Sequence, residues 1–400
     1  MMLLNQHPEH NQPLLAADAA ALGIAGADQA EHYLKARENH AETPLHVLPA
    51  LAGELGIGSL HVKDEGRRLG LGSFKALGGA YAVMRLVLEE AGKRLGRTVD
   101  VGEIGDASVR AIAAQMTFCC ATDGNHGRSV AQGAGLVGAR SQVFVHAGVS
   151  DERVAAIARF GAEMVRVQGG YDHSVREAAR IAAERGWTVV SDTSWPGYER
   201  IPGLVMQGYT VIAREALRFM PEPPTHVFLQ AGVGGFAAAI AGHLAILLGE
   251  QRPKVMVVEP ARAACVYATA EAGRPVRIPH EQPTVMAMLE CHEPSLVAWR
   301  VLARLGDAFM TVDEEDAVAV MNRLARPAGH DPAIVSGESG GAGLAGLIRA
   351  ACDMDMRAAL GLDARSRVLV VNSEGATDPG RYAELVGVAP EEVGRTRRAA

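Results

Sequence analysis

Gly72-Ser73-Phe74-Lys75-Ala76-Leu77-Gly78-Gly79-Ala80 follows a short β-like run, Leu60-His61-Val62-Lys63, and opens an apolar, Ala-rich stretch from Ala76 to Leu88. The segment reads as strand, loop and helix, with a lysine at the first helical turn. Small apolar neighbours solvate an ammonium poorly, so desolvation favours the neutral amine. A neutral lysine can form a Schiff base with an aldehyde cofactor. A lysine snorkelling from a helix end has the same local pattern. The segment alone leaves both readings open.

Outward from Lys75, β-rich runs alternate with helical stretches. Strands are expected at Thr117–Ala121, Gln142–His146, Met164–Gln168, Thr188–Ser191, His226–Gln230, Val255–Glu259 and Val368–Asn372. Helices are expected at Gly127–Gly138, Asp151–Phe160, Asp172–Arg185, Val205–Phe219 and Phe236–Leu248. Such alternation predicts an α/β protein with parallel sheets and helices on both faces. The tails, Met1–Pro13 and roughly Pro390–Ala400, read as loosely held.

Four hundred residues, 48% of them hydrophobic, can bury a large core and suggest two domains. A formal charge of -7 argues against nucleic acid or an anionic membrane as the main partner. No apolar run approaches the ~20 residues of a membrane span. Met1 to Gln12 lacks a basic start followed by an apolar core, so the expectation is a cytoplasmic protein without a signal peptide. Five cysteines, two of them adjacent at Cys119 and Cys120, suggest neither a disulfide framework nor a CxxC metal site. His292-Glu293-Pro294 cannot be a zinc helix motif, because the second histidine is missing and proline breaks the helix. The other histidines are scattered in sequence, and no catalytic metal is expected.

Three further loops matter, because ligands collect at the C-terminal ends of strands in α/β sheets. Thr122-Asp123-Gly124-Asn125-His126-Gly127 is a polar strand-to-helix turn, suited either to a phenolic oxygen and ring or to an ordinary Asx turn. Gln230-Ala231-Gly232-Val233-Gly234-Gly235 offers backbone N–H groups at a helix N-terminus, a phosphate site. Gly232, Gly234 and Ala237 also fit a dinucleotide G-x-G-x-x-A pattern, with Glu259 about where a ribose acid belongs. Asn372-Ser373-Glu374-Gly375 ends an apolar strand, and its hydroxyl suits a pyridine nitrogen or a helix N-cap. Ser336-Gly337-Glu338-Ser339-Gly340-Gly341 is one more Gly-rich turn, fit for close packing near a cofactor.

The order of these loops, from Lys75 to Ser373, resembles that of the tryptophan-synthase-β-like pyridoxal-phosphate enzymes (fold type II) from about Thr43 to Gly375. A dinucleotide reading explains the glycine loop alone. The resemblance implies two three-layer α/β domains with the cofactor in the cleft, and a homodimer. Segmentation sets the expected boundaries: a small domain at 112–204 inserted into a large one made of 1–111 and 205–400.

Serine and threonine dehydratases of that fold usually carry serine where this chain has Asp123. A second carboxylate, Asp192, lies in Ser191-Asp192-Thr193-Ser194-Trp195. Two acids near such a site need cationic partners, and a substrate with an extra ammonium supplies one. Asp192 as a turn cap, and Asp123 paired with a surface arginine such as Arg128, are the plainer alternatives. Phe74-Lys75, Leu77 to Tyr81, Thr122 to Arg128, Asp192-Thr193, Met206 to Tyr209, Leu229 to Gly234, Ser336 to Gly340 and Glu374-Gly375 are together similar to the diaminopropionate ammonia-lyase family. Gly235-Phe236 and Asn372 depart from its pattern.

That resemblance implies conversion of 2,3-diaminopropionate, D or L, to pyruvate and two ammonia; a serine/threonine-type dehydratase is the alternative. It implies pyridoxal 5'-phosphate on Lys75, with Asp123 and Lys75 as bases for opposite enantiomers and Asp192 assisting. Asn125 would meet the ring hydroxyl, Ser373 the pyridine nitrogen, and Gly232, Val233, Gly234 and Gly235 the phosphate. Phe74 and Glu338 would complete the cofactor site.

Overall fold

The structure, a computed structural model, describes residues 1–122 and 124–394. The chain divides into two compact units: Met1–Ile24, Ala41–Phe74 and Ile212–Ala400 form one, Ala25–His40 and Lys75–Val211 the other.

The first unit is built on a seven-stranded sheet of order β1-β10-β9-β8-β11-β3-β2. The strands are β1 (Met2–Leu4), β2 (Leu45–Val47), β3 (Ser59–Asp64), β8 (His226–Gln230), β9 (Lys254–Pro260), β10 (Ala308–Val312) and β11 (Arg367–Asn372). The five central strands run parallel, and the two edge strands β1 and β2 pair antiparallel. Central strands such as β8 and β10 are buried along their whole length, which explains their near-continuous apolar sequence. β8, β9 and β11 fall within a residue of expectation. β10 and both edge strands were not foreseen.

The expectation of a loose N-terminal tail is corrected. Met2, Leu3 and Leu4 pair with Met310, Phe309 and Ala308, and the Asn5 amide donates to Ala303 O at 3.0 Å and Gly306 O at 2.6 Å. In the C-terminal tail, Pro390–Glu392 forms a short 3-10 turn, and residues 395–400 lie outside the described residues.

The second unit holds a four-stranded parallel sheet, β6-β5-β4-β7. Its strands are β4 (Thr117–Ala121), β5 (Arg140–His146), β6 (Glu163–Val167) and β7 (Thr188–Val189). This unit takes in Ala25–His40 and Lys75–Val211, where the segmentation suggested 112–204. The reason is packing between the Lys75–Leu95 and Asn125–Val137 helices. A Cβ on Gly133 would sit 2.6 Å from Ala80 Cα, and one on Gly79 2.9 Å from Ser129 Oγ. Ser129 Oγ also accepts the Ala80 N–H at 3.0 Å. The second boundary falls inside the Arg200–Phe219 helix. Among the described residues no helix is long and apolar enough to cross a membrane.

Candidate active site

In the second unit Lys75 is the first residue of its helix. Its Nζ donates a short hydrogen bond to Asp192 Oδ2, with both side chains about one-fifth exposed. Asp192 follows β7 on a loop, and His126 Nδ1 lies 3.8 Å from the same carboxylate oxygen. His126 is held in place by its other ring nitrogen, which meets Val190 O at 2.8 Å. Burial opposes the charge on Asp192, yet His126 and Lys75 overcome it and hold the carboxyl well below its ordinary range. Asp192 is thus placed as an acidic partner of the lysine amine.

Desolvation alone would favour a neutral amine, whereas a carboxylate in direct contact favours the ammonium. Tyr209 sits close by: burial pushes its phenol up and Lys75 pulls it the other way. The tyrosine is set by the close approach of its helix, since a Cβ on Gly208 would fall 2.3 Å from Leu77 O and one on Gly78 2.6 Å from Tyr209 Cε1.

Asn125 and His126 open the Asn125–Val137 helix and are both buried. Gly124 N–H donates to Thr122 Oγ1 at 3.2 Å, so the turn is closed by the threonine hydroxyl. Asp123 lies outside the described residues. Arg128, expected at the surface, is buried instead.

In the first unit the glycine loop runs from β8 into the Gly235–Leu248 helix. Gly234 has φ +95°, where an L side chain would be strained. Ala231 N–H donates to Val258 O and Ala238 N–H to Gly234 O. Among the described residues, none of the six amides between them has a backbone acceptor outside the helix. Such a row of N–H groups at the positive end of a helix fits a phosphate. The dinucleotide alternative loses its acid: Glu259 is fully buried and accepts the N–H groups of Val266 at 2.8 Å and Tyr267 at 2.6 Å. It takes up two first-turn amides of the Cys265–Ala272 helix, whose N-cap residue is Ala264.

Ser373 follows β11 and does not start a helix; its neighbour Glu374 bridges to Ser73. Its backbone N–H donates to Gly340 O at 3.1 Å, and Phe74 N–H donates to Ser373 O at 2.9 Å. The Phe74 ring also packs on Phe236, centroids 4.5 Å apart, bracing the first turn of the glycine-loop helix. Glu338 is buried within the turn that supplies Gly340. Gln230, which sequence reasoning gave no role, donates its amide to Ser373 Oγ at 2.8 Å. Its place at the end of β8, two residues before Gly232, was the available signal. A hydroxyl that accepts from Gln230 keeps its own proton to donate, as a pyridine nitrogen requires.

One further grouping corrects the view of the histidines as scattered. His280, Glu290 and His292 bring their ligand atoms within 4.8 Å of one another.

A family model for pyridoxal-phosphate dependent enzymes matches residues 36–374. The chain is 39% identical over 352 residues to diaminopropionate ammonia-lyase of Escherichia coli (strain K12), covering 86% of this chain and 87% of that one. Solved structures of the Escherichia coli diaminopropionate ammonia lyase superpose closely. The complex with D-serine gives a TM-score of 0.87 at 35% identity, covering 96% of each chain. The complex with an aminoacrylate-PLP azomethine reaction intermediate gives 0.85 at 34% identity, again covering 96% of each.

Proposed function

The chain belongs to the pyridoxal-phosphate-dependent enzyme family, and we propose that it is a lyase converting 2,3-diaminopropionate and water to pyruvate and two ammonia. The observation that carries this reading is the Lys75–Asp192 ion pair. A carboxylate beside the reactive amine suits a substrate bearing a second ammonium, and it is a group that a hydroxyamino acid would not need.

The cofactor, pyridoxal 5'-phosphate, supplies an electron sink for the charge left at Cα when its proton departs. Lys75 would hold it covalently through Nζ. The amides of Gly232, Val233, Gly234 and Gly235 would take the phosphate, and Asn125 the ring hydroxyl. Ser373, its hydroxyl oriented by Gln230, would donate to the ring nitrogen. Phe74 and Glu338 would shape the surrounding wall.

Asp192 accepts a proton-bearing bond from Lys75, so it can hold the lysine proton or the substrate β-ammonium. Lys75 and Asp123 are assigned as the bases for opposite enantiomers, because the two Cα–H bonds point to opposite faces and one base cannot reach both. A hydroxyl at the ring nitrogen does not stabilise its protonated form as a carboxylate would, which favours elimination over transamination. We assign the active form as a cytoplasmic homodimer.

Pyruvate release from D- and L-diaminopropionate, compared with D- and L-serine, tests the reading. Turnover of diaminopropionate well above serine supports it. Preference for serine or threonine would make the chain a dehydratase. Borohydride should bleach the visible band of the holoenzyme and leave the reduced label on Lys75.

A further inference from the structure

The segment between the Cys265–Ala272 and Leu296–Leu305 helices carries a group that the lyase reaction does not use. Within it the chain folds back on itself, with Ile278 N–H donating to His292 O at 2.9 Å. This brings His280 Nδ1 to 3.0 Å from His292 Nε2 and to 3.3 Å from Glu290 Oε1. The other Glu290 oxygen accepts the Thr284 N–H at 3.2 Å, fixing the carboxylate's orientation. Two imidazoles and a carboxylate are a donor set for zinc-like ions. With metal–ligand bonds of ~2.0–2.1 Å, a tetrahedral site places neighbouring donors about 3.3 Å apart. Both spacings from His280 are near that edge, and all three donors lie within 4.8 Å of one another. Hard ions such as magnesium or calcium prefer all-oxygen sets and do not fit.

We propose that His280, Glu290 and His292 bind one zinc-class divalent cation per chain, leaving its remaining position to water. The His280 side chain is 58% exposed, so the ion would exchange with solvent. Its effect would be on the loop. The residues just before and between the ligands rest on the phosphate glycines: a Cβ on Gly232 would meet Cys291 Sγ at 2.9 Å and Leu289 Cα at 3.5 Å. Met288 N–H reaches Ser339 Oγ at 3.2 Å, and Ser295 N–H reaches Val233 O at 2.9 Å. A cation gripping both arms of this fold would clamp the loop against Gly232 and Val233. The site is structural and separate from the elimination chemistry.

The test is zinc chloride titrated calorimetrically into chelator-treated, dialysed holoenzyme, beside His280→Ala and His292→Ala. His280 is exposed, so its replacement should leave the metal-free melting temperature unchanged. The expected result is one zinc per chain, a higher melting temperature with metal, and affinity at least about tenfold weaker in each variant. Cobalt in place of zinc should show a visible ligand-field band without the near-ultraviolet absorption of a thiolate ligand. Equal affinity in wild type and variants, a thiolate band, or no uptake by the wild type would overturn the assignment.

Discussion

Ser373 Oγ accepts a hydrogen bond from Gln230 Nε2 at 2.8 Å, and the same amide faces Gly340 O at 2.7 Å and Val371 O at 3.0 Å. Two amide protons are shared among three acceptors that come from two loops and a strand end. The amide therefore fixes where the serine hydroxyl stands and which way its proton points.

Removing the serine hydroxyl by Ser373→Ala should lower kcat/KM for pyruvate release about five- to tenfold, the worth of one hydrogen bond. Gln230→Leu should slow the reaction similarly and also cost about 1–3 kcal/mol of stability, because a buried hydroxyl loses its donor. Urea unfolding separates the two variants. A Gln230→Leu enzyme with unchanged activity would show that the amide does not orient Ser373.

Asp192→Asn should reduce kcat by about a hundredfold or more, within the range of a positioned proton-handling group. It should also destabilise the cofactor-free protein at neutral pH. The folded carboxyl titrates below its ordinary 3.8, so its contribution is complete above that value and fades as pH falls through it. The melting gap between wild type and variant should accordingly close on acidification.

Lys63, Glu65, Arg68 and Glu215 form a cluster whose side chains are no more than 1% exposed. Lys63 Nζ lies 2.7 Å and Arg68 Nη2 2.6 Å from the same Glu215 oxygen. Two cations balance two anions, so Glu215→Gln leaves buried charge uncompensated and should cost about 3–5 kcal/mol. Burial works against ionised Glu65, but Arg68 and Lys63 bring it from 4.5 down to about 2. Its stabilisation is full above 4.5 and lost as pH drops toward 2. Thermal melts across that window should fall steeply in wild type and less so in Glu65→Gln.

Gly234→Ala should leave the protein folded but weaken cofactor binding about tenfold, read by fluorescence titration of the cofactor-free protein. The backbone there has φ +95°, and a Cβ would press on Ala298 Cβ and Leu302 Cδ1 at 3.2 Å each. That strain, about 1–2 kcal/mol, falls on the loop that presents the phosphate amides.

Much of the fold was legible because buried parallel strands are written as apolar runs between turn signals. β4 and β8 were found to the residue. The edge strands were not: Met2–Leu4 and Leu45–Val47 are three residues long, and their pairing depends on partners distant in sequence. β10 is a five-residue run between the Leu296–Leu305 and Glu314–Ala325 helices; Gly306-Asp307 and Asp313-Glu314 bound it, so the turn signals were present and were not used. Among the candidate residues, Lys75, the glycine loop and Ser373 were singled out from local pattern. Gln230 as orienter and the pairing of Lys75 with Asp192 were not, since each joins residues more than a hundred positions apart. The unit boundary at Lys75 was missed for a related reason: helix packing through Gly79 and Gly133 leaves no mark in hydropathy.

Glu374 bridges to Ser73, Gly375 N–H donates to Gly72 O at 3.0 Å, and Phe74 N–H donates to Ser373 O. This stitch is made wholly of main chain, so it takes no account of which side chains hang from it. Residues around the substrate can therefore be exchanged, by drift or by an engineer, while the peptide leading into the lysine stays in register with the serine. A one-residue insertion between Ser73 and Lys75 would do what few point substitutions there can: displace the amine by a whole residue from the stitched peptide.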